Sequence, residues 1–332
     1  MDRHQSSGHL ALGLSLAAIT ALFWGTIPVI LKLLVNEMDV YTLAWFRFLA
    51  AGALLTPLLA YRQGLRSLLA VRKAPGLMVV CIIGLCGNYL IYMSSLKFVS
   101  PGAAQVVIQL SPTFVMVGGF LIFKERFVRL QWLGFVILVL GMALFFNQRY
   151  ETFLNGGSVY LWGILLVVAA AVFWAIYILA QKQLQTVMFP EAILLIIYMI
   201  SMLVILPIAQ PTTLTNLGTT QWVLLVVVSV MTVVSYVCFG MALNHLEASR
   251  SGIIVAVTPL ITVGMSNLAV SFFPLSIEIE PLNAIGFSGA ILVVIGSALG
   301  ALSRSHTIRP NTANANLKTA TPTSQKEPIT TI

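Results

Sequence analysis

Apolar residues in this chain neither alternate with polar ones nor keep to one helical face; they fill long unbroken runs. Ten runs stand out, at roughly 10–35, 40–61, 77–97, 101–123, 127–147, 160–181, 191–210, 221–243, 250–273 and 281–302. About 20 apolar residues cross the hydrocarbon core of a bilayer as a helix. A membrane β-barrel instead needs short alternating segments. The pattern therefore predicts an all-α membrane protein of ten spans. Connections are short except 62–76 and 148–159. The segment 303–332 is rich in Thr, Asn and Pro, with too few apolar residues to pack, and reads as a disordered tail. Arg3 and His4 precede the first run as in a signal peptide. Leu10 to Val35, however, far exceeds a signal h-region of about 7–15 residues and lacks an A-x-A site, so it reads as a retained helix.

The chain repeats itself. Gly13, Phe23, Trp24, Lys32 and Leu34 match Gly163, Phe173, Trp174, Lys182 and Leu184 at an offset of 150. Ser111-Pro112 falls on Thr258-Pro259 at 147, and Glu125, Gly134, Gly141, Ala143 and Leu144 fall on Glu280, Gly289, Gly296, Ala298 and Leu299 at 155. The growing offset places extra residues near 272–279 in the second copy. Two repeats of five spans result, 10–147 and 160–302. Five is odd, so the second repeat enters from the opposite face. Such inverted halves are an architecture of secondary transporters, because two similar halves of opposite orientation can exchange conformations around one site.

Charge sets the orientation. Only 8% of the 332 residues are charged and 59% are hydrophobic, which excludes a soluble globule. The net charge of +8 gives no ground for a nucleic-acid partner when its cations sit in loops. With the N-terminus in the cytoplasm, the inner side receives Arg3, Arg62, Arg66, Arg72, Lys73, Lys124, Arg126, Arg129, Lys182, Arg250, Arg304 and Arg309. The outer side receives Lys32, Lys97 and Arg149, along with Glu37, Asp39, Glu151, Glu278 and Glu280. Twelve basic residues against three satisfy the positive-inside rule, with both termini cytoplasmic and the protein in the cell (inner) membrane. Lys32 and Lys182 then end at opposite faces, each expected to snorkel to water.

The stretch YMSSLKFVSPGAAQVVIQLSPTFVMVGGFLIFKERF (92–127) resembles the signature of EamA-domain permeases of the drug/metabolite transporter superfamily. A small residue, Leu-Lys and an aromatic precede an Ala-rich, Pro-bearing span and a Lys-Glu-Arg turn; FWG (23–25) and WFRF (45–48) fit the same pattern. The resemblance covers about 10–302. It implies a ten-helix transporter of small solutes such as amino acids, nucleotide-linked metabolites or drugs. The second half departs from the pattern: Glu280-Pro281-Leu282 replaces the turn, and Arg47 has no counterpart there.

Several intramembrane residues are candidates for substrate contact. Arg47 lies about seven residues into its span, roughly 10 Å along the axis. A fixed cation there either binds a carboxylate or phosphate or snorkels to Glu37 or Asp39. Gln105 and Gln109 share one face of the fourth span. With Asn88, Tyr89 and Tyr92 on the third and Asn267 on the ninth, they line a cavity or bond helices together. Trp24 and Trp174 sit mid-span, away from the interfaces tryptophan favours; Tyr177 adds aromatic character, as do Tyr198 and Tyr236 more weakly. Pro28, Pro112 and Pro259 break intrahelical bonds and act as static kinks or gating bends, with Ser111 or Thr258 as local partners for the freed carbonyls. Gly134, Gly141, Gly289, Gly296 and Gly300 give the fifth and tenth spans small-residue stripes for close packing or for a homodimer. Cys81, Cys86 and Cys238 read as small apolar residues, and His245 as interfacial.

No HExxH, no phosphate-binding G-x-x-x-x-G-K-[ST] and no intramembrane pair of acids occurs, so hydrolysis, ATP drive and intramembrane proteolysis lack their chemistry. No metal or cofactor is called for. The sequence points to a secondary transporter, an exporter of small metabolites such as amino acids, with the bilayer and a small solute as its partners. Alternatives are a channel and a membrane-embedded lipid scramblase or lipid-modifying enzyme, the last lacking a catalytic cluster.

Overall fold

Inside a bilayer the backbone must satisfy its own polar groups, so apolar runs of this length fold as helices. A computed structural model of the protein describes residues 10–62, 64–123, 128–151, 159–245, 253–272 and 279–302. These form α1 (Leu10–Glu37), α2 (Val40–Arg62), α3 (Pro75–Ser95), α4 (Pro101–Val107), α5 (Ser111–Phe123), α6 (Arg129–Phe145), α7 (Val159–Leu184), α8 (Pro190–Ile205), α9 (Thr219–His245), α10 (Thr258–Phe272) and α11 (Ala284–Leu302). Among the described residues there is no strand. Seven stretches, at 10–37, 40–61, 75–95, 101–122, 159–184, 219–239 and 253–272, are long and apolar enough to cross a membrane. The apolar helices at 129–145, 190–205 and 284–300 are shorter than that standard. The tail 303–332, the Lys-Glu-Arg turn, Arg250 and residues 273–278 of the extra stretch lie outside the described residues.

Two expectations about the chain path need correction. The seventh run stops at Ile205 instead of 210, and a third long connection follows, with a 3-10 turn over Pro211–Asn216. Pro207, Pro211 and Gly218 make that stretch a poor helix. The fourth run is not one helix. A 3-10 turn, Ile108–Leu110, separates α4 from α5. The ninth is interrupted at the matching place: residues 253–255 are helical, Ala256 and Val257 form a turn, and α10 begins at Thr258. Pro112 and Pro259 therefore stand at the first turns of helices, where the missing N–H costs little.

The two repeats are interleaved. The principal packing pairs are α1 with α9, α3 with α7, α2 with α8, α6 with α11, α1 with α10 and α5 with α7, and each takes one helix from either repeat. The close approach of α6 and α11 depends on glycine. A Cβ on Gly134 would lie 2.8 Å from Gly296 O, and one on Gly141 would lie 2.6 Å from Val293 N and 2.8 Å from Gly289 O. The helices are antiparallel there, since higher numbers on α6 meet lower numbers on α11. The stripes that the sequence offered to a homodimer are thus occupied by each other within one chain. Outward faces carry exposed apolar side chains such as Leu121, Val204 and Phe272, the belt a bilayer covers. Inside, Phe48, Tyr177, Tyr198, Leu55 and Leu85 are fully buried.

Candidate functional site

The interrupted helices create the polar chemistry at the centre. Proline at 112 removes the donor that would bond the Ile108 carbonyl, and Ser111 Oγ donates to that carbonyl instead, at 2.6 Å. This is the local partner expected of Ser111. On the other side Leu260 N–H turns to Val257 O at 3.1 Å. The Ala256 carbonyl then receives Gln109 Nε2 at 3.1 Å. Gln109 and Ala256 are 147 residues apart, the offset that relates Ser111-Pro112 to Thr258-Pro259. Each break thus leans on the other. Thr262 Oγ1 adds a bond to Gly25 O at 2.6 Å, tying α10 to α1 where a Cβ on Gly25 would meet Ile261.

A cavity of about 240 Å³ opens beside these breaks. Most of the residues singled out from sequence line it: Trp24, Pro28, Arg47, Asn88, Tyr89, Tyr92, Gln105, Gln109, Pro112, Trp174 and Tyr236. Trp24 and Trp174, offset mates, meet edge to face with ring centroids 6.4 Å apart. Tyr236 lies 5.6 Å from Trp24 and 6.4 Å from Trp174, so three rings form one wall. Tyr92 O–H donates to Gln105 Oε1 at 3.0 Å, and Asn88 Nδ2 donates to Ala170 O at 2.8 Å. These amides both line the cavity and hold helices, so the two readings of each were not exclusive.

Arg47 is 5% exposed and does not reach toward Glu37 or Asp39. Its Nη2 donates to Thr232 Oγ1 at 2.8 Å, its Nη1 meets Met93 Sδ at 3.5 Å, and its guanidinium carbon lies 4.7 Å from the Tyr89 ring centroid. Its Nε is buried without a partner. Thr232 and Met93 were not foreseen. Thr232 Oγ1 also bonds its own i−4 carbonyl, of Val228, at 2.7 Å, and this common habit makes a mid-span threonine silent in sequence.

Three predicted residues stand elsewhere. Asn267 is exposed and donates to its own i−4 carbonyl, Val263 O, at 2.8 Å. It belongs to an outer recess with Gly264, Glu280 and Phe287, because α10 turns that face away from the centre. Tyr177 is fully buried behind Trp174, centroids 5.4 Å apart, and its backbone packs on Gly84. Pro259 is buried at the break while Thr258 takes the lining position.

Lys32 overturns the expectation of snorkelling. It is 5% exposed and donates to Leu96 O at 2.6 Å and Val99 O at 3.2 Å, carbonyls left without helical donors where α3 ends. Lys182, its offset mate, is exposed. Glu280, expected in a solvated loop, is buried. It accepts from Ser100 Oγ at 2.7 Å, Tyr160 O–H at 3.0 Å and Arg149 Nε at 2.9 Å. The connection 96–100 is therefore pinned by a lysine of the first repeat and a glutamate of the second. Ser100 also caps α4 by accepting from Ala103 N–H at 3.1 Å.

The chain matches the EamA-like transporter family over residues 11–147 and 161–301, one match per repeat. It is 33% identical to an uncharacterized transporter of Haemophilus influenzae over 300 residues, 90% of this chain and 97% of that protein. It is 32% identical to the uncharacterized inner membrane transporter YhbE of Escherichia coli K12, covering 88% and 91%. A probable amino-acid metabolite efflux pump of Salmonella typhimurium is 25% identical over 85% of this chain and 92% of its own length. A solved crystal structure, 17% identical, superposes with a TM-score of 0.61 over 90% of this chain and 99% of that one, and shares the fold. Each repeat thus carries the family's pattern across the whole cavity-forming region, and the chain is a multi-pass membrane protein belonging to the EamA-like transporter family.

Proposed function

We propose that the protein is a secondary transporter that exports small metabolites such as amino acids by alternating access, with ten spans in two inverted halves. The observation that carries this reading is the position of the cavity. It sits where two interrupted helices, one from each repeat, lean on each other through Gln109 and Ala256. Discontinuous helices at a repeat interface are how transporters expose backbone and side-chain groups to a solute within the membrane. The contacts support inversion. Exchanging positions by the 155 offset turns the Gly134–Gly296 contact into Gly289–Gly141, which is also made, and the helices run antiparallel. The packing of α1 on α9 likewise becomes that of α7 on α3. Shorter helices of 16 or 17 residues reach about 25 Å at 1.5 Å per residue, and tilt-free crossing then needs a locally thinned bilayer. The export direction rests on the Salmonella relative, and an inner-membrane location with cytoplasmic termini rests on loop charge and on YhbE.

The test is flux through the purified chain in proteoliposomes, against a panel of labelled amino acids and related metabolites. A carrier gives saturable uptake that rises when unlabelled solute is loaded on the far side. Arg47→Ala and Trp24→Ala should each lower it. Flux that never saturates would indicate a channel, and absence of flux for the whole panel would remove the transport reading.

A further inference from the structure

Among the described residues that line the cavity, Arg47 is the only cation and there is no Asp or Glu. A guanidinium does not deprotonate in proteins. A buried cation without an anion carries a large desolvation cost, and here its partners are a hydroxyl, a thioether and a ring face. The Nε–H is buried with nothing to bond. The same lining offers Trp24, Trp174 and Tyr236, whose rings pack on one another. Its volume of about 240 Å³ lies at the small end of ligand pockets, which run from about 300 Å³ upward.

We propose that the solute is a small organic monoanion: a carboxylate bound by Arg47, joined to a planar apolar body held by the Trp24, Trp174 and Tyr236 rings. This deepens the transport reading and rests on it. One carboxylate brings the cavity to neutrality and accepts in the bidentate geometry a guanidinium edge provides. A phosphate dianion overshoots that charge by one. A zwitterion supplies the carboxylate, but its ammonium finds no acid in the lining and leaves the cavity net positive. The amino group is therefore dispensable, and the deaminated analogue binds at least as well as the amino acid itself.

Titration calorimetry on the full chain in detergent tests this with four probes of one shape: 3-phenylpropionate, L-phenylalanine, 2-phenylethylamine and phenyl phosphate. The anion should bind at least tenfold tighter than the amine and tighter than the phosphate, and at least as tightly as phenylalanine. Arg47→Gln should weaken the anion at least tenfold, measured on protein that elutes as a monodisperse peak. Arg47→Lys, which keeps the charge without the fork, should preserve the order of anion over amine. The proposal is overturned by amine binding as tight as the anion's, by unchanged anion affinity in folded Arg47→Gln, or by no anion binding at millimolar concentration. If the anion binds but no probe crosses a proteoliposome membrane, the transport reading fails and the site assignment stands. If other solutes cross while the anion neither binds nor crosses, the substrate assignment fails alone.

Discussion

Adding one methyl group at Gly141 should measurably loosen the protein. An ideal Cβ there lies 2.6 Å from Val293 N and 2.8 Å from Gly289 O, whereas ordinary contact begins near 3.4 Å. The two helices must part by about 0.8 Å, the difference between 3.4 and 2.6 Å. The obstructing atoms are backbone, so no rotamer change relieves them. Overpacking of this kind costs about 1–3 kcal/mol. Replacing glycine by alanine returns up to about 1 kcal/mol of helix propensity, which leaves a net loss of up to about 2 kcal/mol for Gly141→Ala. At ~2–4 °C per kcal/mol, the melting temperature in detergent should fall by up to about 8 °C. Gly264→Ala on α10 is the control, because a Cβ there meets nothing within 4 Å; it should melt at or slightly above the parent. The double variant Gly141→Ala/Gly289→Ala should lose less than the sum of the two, since both side chains push apart the same helix pair. Thermal melting followed by size-exclusion chromatography reads the parent and the four variants, Gly289→Ala alone among them. If Gly141→Ala melts as high as Gly264→Ala, close glycine packing does not set the α6–α11 spacing.

Three further outcomes follow from the polar contacts. Lys32→Met leaves the Leu96 and Val99 carbonyls without their ammonium and should cost about 1–3 kcal/mol, while Lys182→Met at an exposed site should change stability by less than about 0.5 kcal/mol; the same melts compare them. Glu280→Gln and Arg149→Gln should each destabilise, and a double-mutant cycle should show coupling above about 0.5 kcal/mol; additive losses would mean the 2.9 Å pair carries nothing. Gln109→Leu removes the donor to Ala256 O, with a stability loss of about 0.6–2 kcal/mol and slower flux in proteoliposomes, whereas Asn267→Ala, away from the cavity, should transport like the parent.

The helices were legible because an apolar run of about 20 residues has only one way to satisfy its backbone in lipid. The cavity was largely legible for a related reason. Polar and aromatic groups such as Arg47, Gln109 and Trp24 are costly mid-span, so their presence there signals a place for them. What sequence missed are residues whose chemistry is masked by locality. Thr232 bonds its own helix whether or not it meets Arg47. Lys32 and Glu280 lie near helix ends, where charge is ordinarily solvated, and only the fold brings the 96–100 connection between them. Asn267 failed in the opposite sense. Its position in an apolar span signals an inward face, yet an asparagine that bonds its own i−4 carbonyl can sit on the outside of α10.

The interleaving of the repeats has a consequence for biosynthesis. α1, α2, α3 and α6 each find their main partners in α7 to α11, later in the chain by about 90 residues for α3 and about 210 for α1. At ~5–20 residues per second, roughly 4–40 s separate the emergence of a helix from that of its mate. During that interval α1 to α6 wait with Arg47, Asn88, Gln109 and the glycine stripe of α6 facing lipid or the insertion machinery. The nascent first half is therefore a waiting intermediate, and the second half completes it helix by helix as it arrives.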